Sequence, residues 1–216
     1  MATAALRDPT LAARLDAFGT AYVAMSRFVL ASVDRDLSER LGEPGQIESW
    51  PMPRDTDTSR GLELVRTSLE SAEAVAALER DYERLFTLPD SVVAPPYESV
   101  WRTPERLLFD APTFEVRAEY RSLGVQAPSL NRDPDDHLGL EFNFLGLVCS
   151  HALDAHDRGD TAGLDQALET QRRFLGDHLL RWGPDFLASV EANAETAFYK
   201  GVGALGLGVL TNAAAW

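Results

Sequence analysis

Residues 133–156 read DPDDHLGLEFNFLGLVCSHALDAH, and this stretch decides the fold class. It opens as a helix start should: Asp133 can serve as N-cap, Pro134 as the first helical residue, and Asp135 and Asp136 place negative charge against the positive end of the helix dipole. Beyond His137 the apolar residues Leu138, Leu140, Phe142, Phe144, Leu145, Leu147 and Val148 fall on most sides of a helix running from Pro134 to about His156. A helix that is apolar nearly all round is covered on all sides and belongs in the centre of a bundle.

Helical periodicity continues in both directions. Leu11, Leu15, Phe18, Tyr22, Met25 and Val29 step by three and four, predicting one long amphipathic helix to about Leu41, stopped by Gly42 and Pro44. Residues 42–61, with three prolines and a polar run, read as a long loop. A second stripe uses Leu62, Val65, Leu69, Val75, Leu78, Tyr82 and Leu85, ending at Phe86 before Pro89. Residues 89–103 carry Pro95 and Pro96 without a period and read as a hinge loop. Asp110 or Thr113 can cap a helix containing Val116, Tyr120 and Leu123, which Gly124 closes. A stripe from Leu164 to Trp182 is ended by Gly183-Pro184. Phe186, Val190, Ala194, Ala197 and Phe198 then lead into a glycine-bearing apolar stretch, 202–210, too short to span a bilayer. No alternating strand is present. The expectation is an all-α single domain, 1–216, of seven to nine helices, with N-terminal helices over about 8–88, the hinge at 89–103 and C-terminal helices over about 104–214.

The formal net charge is −14, from 34 acidic against 20 basic residues, in a chain of 216 that is 45% hydrophobic. That composition supports a buried core, and the charge disfavours nucleic acid and anionic membranes, leaving a cationic partner such as an arginine-bearing peptide attractive. Cys149 is the only cysteine and sits in an apolar run, so it is expected as a buried, inert thiol. Residues 1–15 lack the continuous apolar core of a signal peptide, which makes the cytoplasm the expected compartment. His151 and His156 are five apart, the wrong spacing for joint metal ligation on a helix, and His137 would stand about 21 Å from His151 along a continuous one. A metal- or His/Asp-dependent hydrolase built on Asp136, His137 and His151 is therefore a poor alternative, and no cofactor is expected.

Read locally, the acids at 133–136 do no more than start a helix. Their company is more specific. Tyr82-x-x-Leu85-Phe86, Pro95-Pro96-Tyr97-Glu98-Ser99-Val100, Val116-x-x-x-Tyr120-x-x-x-Gly124, Pro134-Asp135-Asp136-His137-Leu138-Gly139-Leu140-Glu141, Gln171-Arg172-x-Phe174-Leu175-x-x-His178-Leu179-x-x-Trp182-x-Pro184 and Phe198-Tyr199 follow one another in order. In this the chain resembles the TorD/DmsD/NarJ family of cytoplasmic redox-enzyme maturation chaperones. The resemblance implies two helical subregions joined by a hinge, no enzymatic turnover, and binding of the twin-arginine (Tat) leader of a molybdopterin-dependent oxidoreductase until its cofactor is inserted. A NarJ-like factor for a nitrate reductase catalytic subunit is the alternative within the family. Carried over by motif, Asp135, Asp136 and His137 would contact the peptide, with Tyr82, Leu85, Phe86, Pro96, Tyr97, Ser99 and Val100 walling the same groove. Glu98 could meet a guanidinium beside the two aspartates. Monomer and dimer both stay open.

Overall fold

The central helix of the computed structural model, which describes residues 9–87 and 92–216, is Leu138–Arg158. It starts four residues later than Pro134 because tertiary partners claim the residues expected to start it. The backbone of 136–138 pairs with that of 96–98: Glu98 N–H donates to the Asp136 carbonyl (3.0 Å), Leu138 N–H to that of Pro96 (2.8 Å), and Tyr97 and His137 form an isolated antiparallel bridge. His137 becomes the N-cap, its Nδ1 accepting from Gly139 N–H at 3.1 Å. The far end closes on Gly159, whose φ of 70° suits glycine. Leu138, Phe142, Leu145, Val148 and Cys149 are fully enclosed, and burial pushes the Cys149 thiol up to about 12.

Ten α-helices are present among the described residues: α1 (Pro9–Leu30), α2 (Arg35–Leu41), α3 (Thr56–Glu70), α4 (Val75–Tyr82), α5 (Glu98–Arg102), α6 (Ala111–Ser122), α7 (Leu138–Arg158), α8 (Thr161–Asp177), α9 (Gly183–Asn193) and α10 (Ala197–Ala214). The long first helix expected to reach Leu41 breaks after Leu30. There Arg27 donates to the carbonyls of Ala31 and Ser32, and Asp34 starts a new helix by accepting from Leu37 N–H at 2.8 Å. Asp55 likewise accepts from Thr58 N–H at 2.7 Å, so the loop expected at 42–61 ends at 55. The stripe from Leu62 to Phe86 is divided at Ala72 (φ 51°), and its last turn, Glu83–Thr87, is a π-helical turn. The connection at 89–103 contains α5. Asp110 caps α6, and Gly124 (φ 71°) follows that helix as expected.

Gly183-Pro184 opens a helix rather than closing one. α8 ends at Asp177, a 3-10 turn covers Leu179–Arg181, and Pro184 sits in the first turn of α9, where its missing N–H costs nothing. The glycine-bearing stretch 202–210 lies inside α10. A Cβ on Gly61 would stand 2.9 Å from the Gly201 carbonyl oxygen, and one on Gly201 2.9 Å from that of Gly61. α3 and α10 therefore touch backbone to backbone.

α1 packs on α7, α7 on α8, α3 and α9 on α10, so helices from both sides of the connection share one core. No helix among the described residues is long and apolar enough to cross a membrane. The expectations that touch 1–8 and 88–91, namely the lack of a signal peptide and the first residues of the hinge, lie outside the described residues.

Candidate peptide-binding site

The turn before α7 is held from inside by its own acids. Asp136 is fully buried: its Oδ2 accepts from Ser99 N–H and its Oδ1 from the Thr113 hydroxyl, both at 2.7 Å. Asp135, also fully buried, accepts at Oδ2 from Arg117 Nε (3.0 Å) and Nη2 (2.6 Å), and the Tyr120 hydroxyl donates to its backbone carbonyl at 3.0 Å. These bonds fasten the turn to α5 and α6. They also mean that neither carboxylate faces solvent, and that Asp136 bonds Ser99 and Thr113 instead of His137, which removes the contact a His/Asp hydrolase would use.

A second buried network lies behind the first. Glu98 accepts from Arg102 and stands 3.0 Å from His178 Nδ1, while Trp182 Nε1 donates to Glu141 at 3.3 Å. Burial, reinforced by the charges of Glu98 and Asp136, raises the pKa of Glu141. The motifs quoted above contain His178, Trp182, Glu98 and Glu141, but not how they pair; Glu98, expected to meet a guanidinium of the peptide, is buried against the chain's own Arg102 and His178.

Of the residues expected to wall a groove, Leu85, Phe86, Pro96, Ser99 and Val100 are buried in the core. Tyr82 is half-buried and donates to the Val29 carbonyl at 3.1 Å. Tyr97 and His137 are the two that reach a pocket. Their rings meet edge to face, 5.2 Å between centroids and 84° between planes, on the wall of a hollow of about 250 Å³ completed by Leu30, Pro128, Asp133, Pro134 and Leu140. Ala127, Pro128 and Leu140 are shared with a neighbouring hollow along Val125, Phe144 and Leu147. The result is an apolar trough beside the α1–α7 seam, with Leu30 40% and Leu147 38% exposed. Enclosure lowers the pKa of His137 to about 4, so the imidazole is neutral near pH 7, and its accepting Nδ1 leaves the proton on Nε2. Asp133, read from sequence as a helix cap, is instead an exposed residue of this hollow. Among the described residues no group of three or more His, Cys, Asp or Glu is placed to hold a metal.

Residues 54–188 match the family model described as nitrate reductase delta subunit, a stretch that contains the whole constellation from Tyr82 to Trp182. The chain belongs to this TorD-like family. Among curated relatives of the TorD-like chain, a "Chaperone protein TorD" of Vibrio parahaemolyticus is 30% identical over 135 residues, covering 62% of this chain and 60% of the relative. Another of that name, from Vibrio cholerae (El Tor Inaba), is 33% identical over 114 residues, covering 53% and 50%. A "Tat proofreading chaperone DmsD" of Salmonella typhi is 30% identical over 129 residues, covering 60% and 56%. The matches thus span between half and three fifths of those relatives' lengths.

Proposed function

We propose that this TorD-like chain is a cytoplasmic maturation chaperone that binds, without turnover, the twin-arginine leader of a molybdopterin-dependent oxidoreductase and retains the precursor while it folds and receives its cofactor. The observation that carries the reading is the trough beside α1 and α7: large enough for side chains, apolar along most of its length, and entered past an aromatic ring, a neutral histidine and an acid. An extended peptide with cationic residues next to an apolar run complements such a surface. The names of the relatives agree with it. In this reading Asp135 and Asp136 serve the site from behind, holding the turn that carries His137 against the segment that carries Tyr97. Leu85 and Phe86 act as core, with the Tyr82 ring edge to face on that of Phe86.

Isothermal titration with a synthetic twin-arginine leader peptide tests the proposal. Wild type is expected to bind, and Tyr97→Ala and Leu30→Asp to weaken binding at least tenfold with unchanged circular dichroism. No binding by wild type, or full binding by both variants, defeats it. The family description favours one competing reading, an assembly factor for a nitrate reductase subunit. It predicts capture of a catalytic subunit whose leader has been deleted.

A further inference from the structure

We infer that Asp133, and neither Asp135 nor Asp136, is the group that receives a leader arginine in the trough; the inference rests on the peptide-binding reading above. Asp135 already holds an arginine, the chain's own Arg117, and its second oxygen is sealed from solvent without a partner. Asp136 has both oxygens bonded inside the protein. Asp133 is exposed, belongs to the hollow, and its side chain makes no hydrogen bond or ion pair among the described residues.

The electrostatics of the hollow point the same way. Among the residues around it, Asp133 is the sole formal charge when His137 is neutral. Its field reaches both rings, adding to the upward shift of Tyr97 and opposing the downward shift of His137. A guanidinium entering there finds an uncompensated carboxylate and two ring surfaces on which to lie, a combination that suits arginine better than lysine. No cation within the site competes for that carboxylate. The motif reading favoured Asp136 because carboxylates adjacent in sequence look alike until their partners are seen.

The test is a titration of wild type, Asp133→Asn, Asp133→Glu and Asp136→Asn with a synthetic twin-arginine leader and with the same peptide carrying glutamine at both arginines, at low and high salt. Asp133→Asn should weaken the arginine peptide about tenfold, to the level of the glutamine peptide, and abolish the salt dependence. Asp133→Glu should keep the preference. Asp136→Asn should weaken both peptides alike, as expected of a positioning residue. If Asp133→Asn keeps the arginine preference, or Asp136→Asn alone destroys it, the assignment is wrong. If wild type binds both peptides equally, the peptide-binding reading stands and the Asp133 assignment falls; if it binds neither, both fall.

Discussion

Replacing Asp136 with alanine separates a carboxylate that holds the protein together from one that meets a ligand. The side chain accepts two 2.7 Å bonds, from Ser99 N–H and the Thr113 hydroxyl, at a position without solvent exposure. Hydrogen bonds to a charged group contribute about 1.5–3 kcal/mol each, and the alanine variant leaves two buried donors unpaired. Some of that loss is recovered, because deleting the charge relieves repulsion from Glu141. A net destabilisation of about 3 kcal/mol follows, which for a chain of this size lowers the melting midpoint by about 6–12 °C. Asp136→Asn should cost only about 1 kcal/mol, since the amide oxygen can keep one bond and the Thr113 hydroxyl can turn to accept from the amide nitrogen. Differential scanning calorimetry reads the midpoints, and hydrogen exchange over 97–103 reads the loosening of α5. An alanine variant that melts with wild type and keeps its amide protection while losing peptide affinity would refute the reasoning, because the carboxylate would then face outward.

Asp81 accepts from Glu195 N–H, Thr196 N–H and the Thr196 hydroxyl at 2.7–3.0 Å, so Asp81→Ala should lower the urea midpoint by the equivalent of about 3 kcal/mol with an unchanged m-value. His137 has a folded pKa near 4, against 6.5 for its ordinary value, so the unfolded chain binds the extra proton between these limits. Its contribution is complete above pH 6.5 and is lost as pH falls towards 4, up to a few kcal/mol. Glu141 acts with the opposite sign: its raised pKa favours the fold most at low pH and less as pH climbs past 4.5. The stability difference between wild type and His137→Asn isolates the histidine and should therefore rise with pH from 4 to 6.5; a flat difference contradicts the shift. Gly201→Ala drives a Cβ to within 2.9 Å of the Gly61 carbonyl oxygen and should cost about 1–3 kcal/mol, whereas Gly176→Ala, on the open face of α8, should gain about 0.5–1 kcal/mol in thermal melts.

The helical class was plain from the apolar surround of α7 and from the stripes, because 3.6-residue periodicity is a local property. Boundaries were harder wherever a distant group competed with the local signal. The N-cap pattern at Asp133-Pro134 is sound as local chemistry, yet Arg117, Thr113 and Ser99 draw the next two acids away and the helix waits until Leu138. Gly183-Pro184 carries the residues of a stop and of a start alike, and the 3-10 turn before it decides between them. Tyr97 and His137, singled out through their motifs, are the two of the expected peptide-contact residues that line the hollow. Leu85 and Phe86 were placed in the groove because an apolar helix face looks the same whether it meets the core or a ligand. Asp133 was read as a helix cap because an acid before a proline has that ordinary explanation.

The backbone contact between α3 and α10 joins residue 61 to residue 201, and Asp81 holds Thr196, the N-cap of α10. During synthesis α3 leaves the ribosome long before the helix it needs, and α1 likewise waits for α7. Until α10 is made, the apolar faces of the first three helices have only transient company, a state prone to aggregation. A protein proposed to shield another chain's exposed segment thus depends on shielding early in its own life, and its yield should respond to translation rate and to general chaperones more than its final stability would suggest.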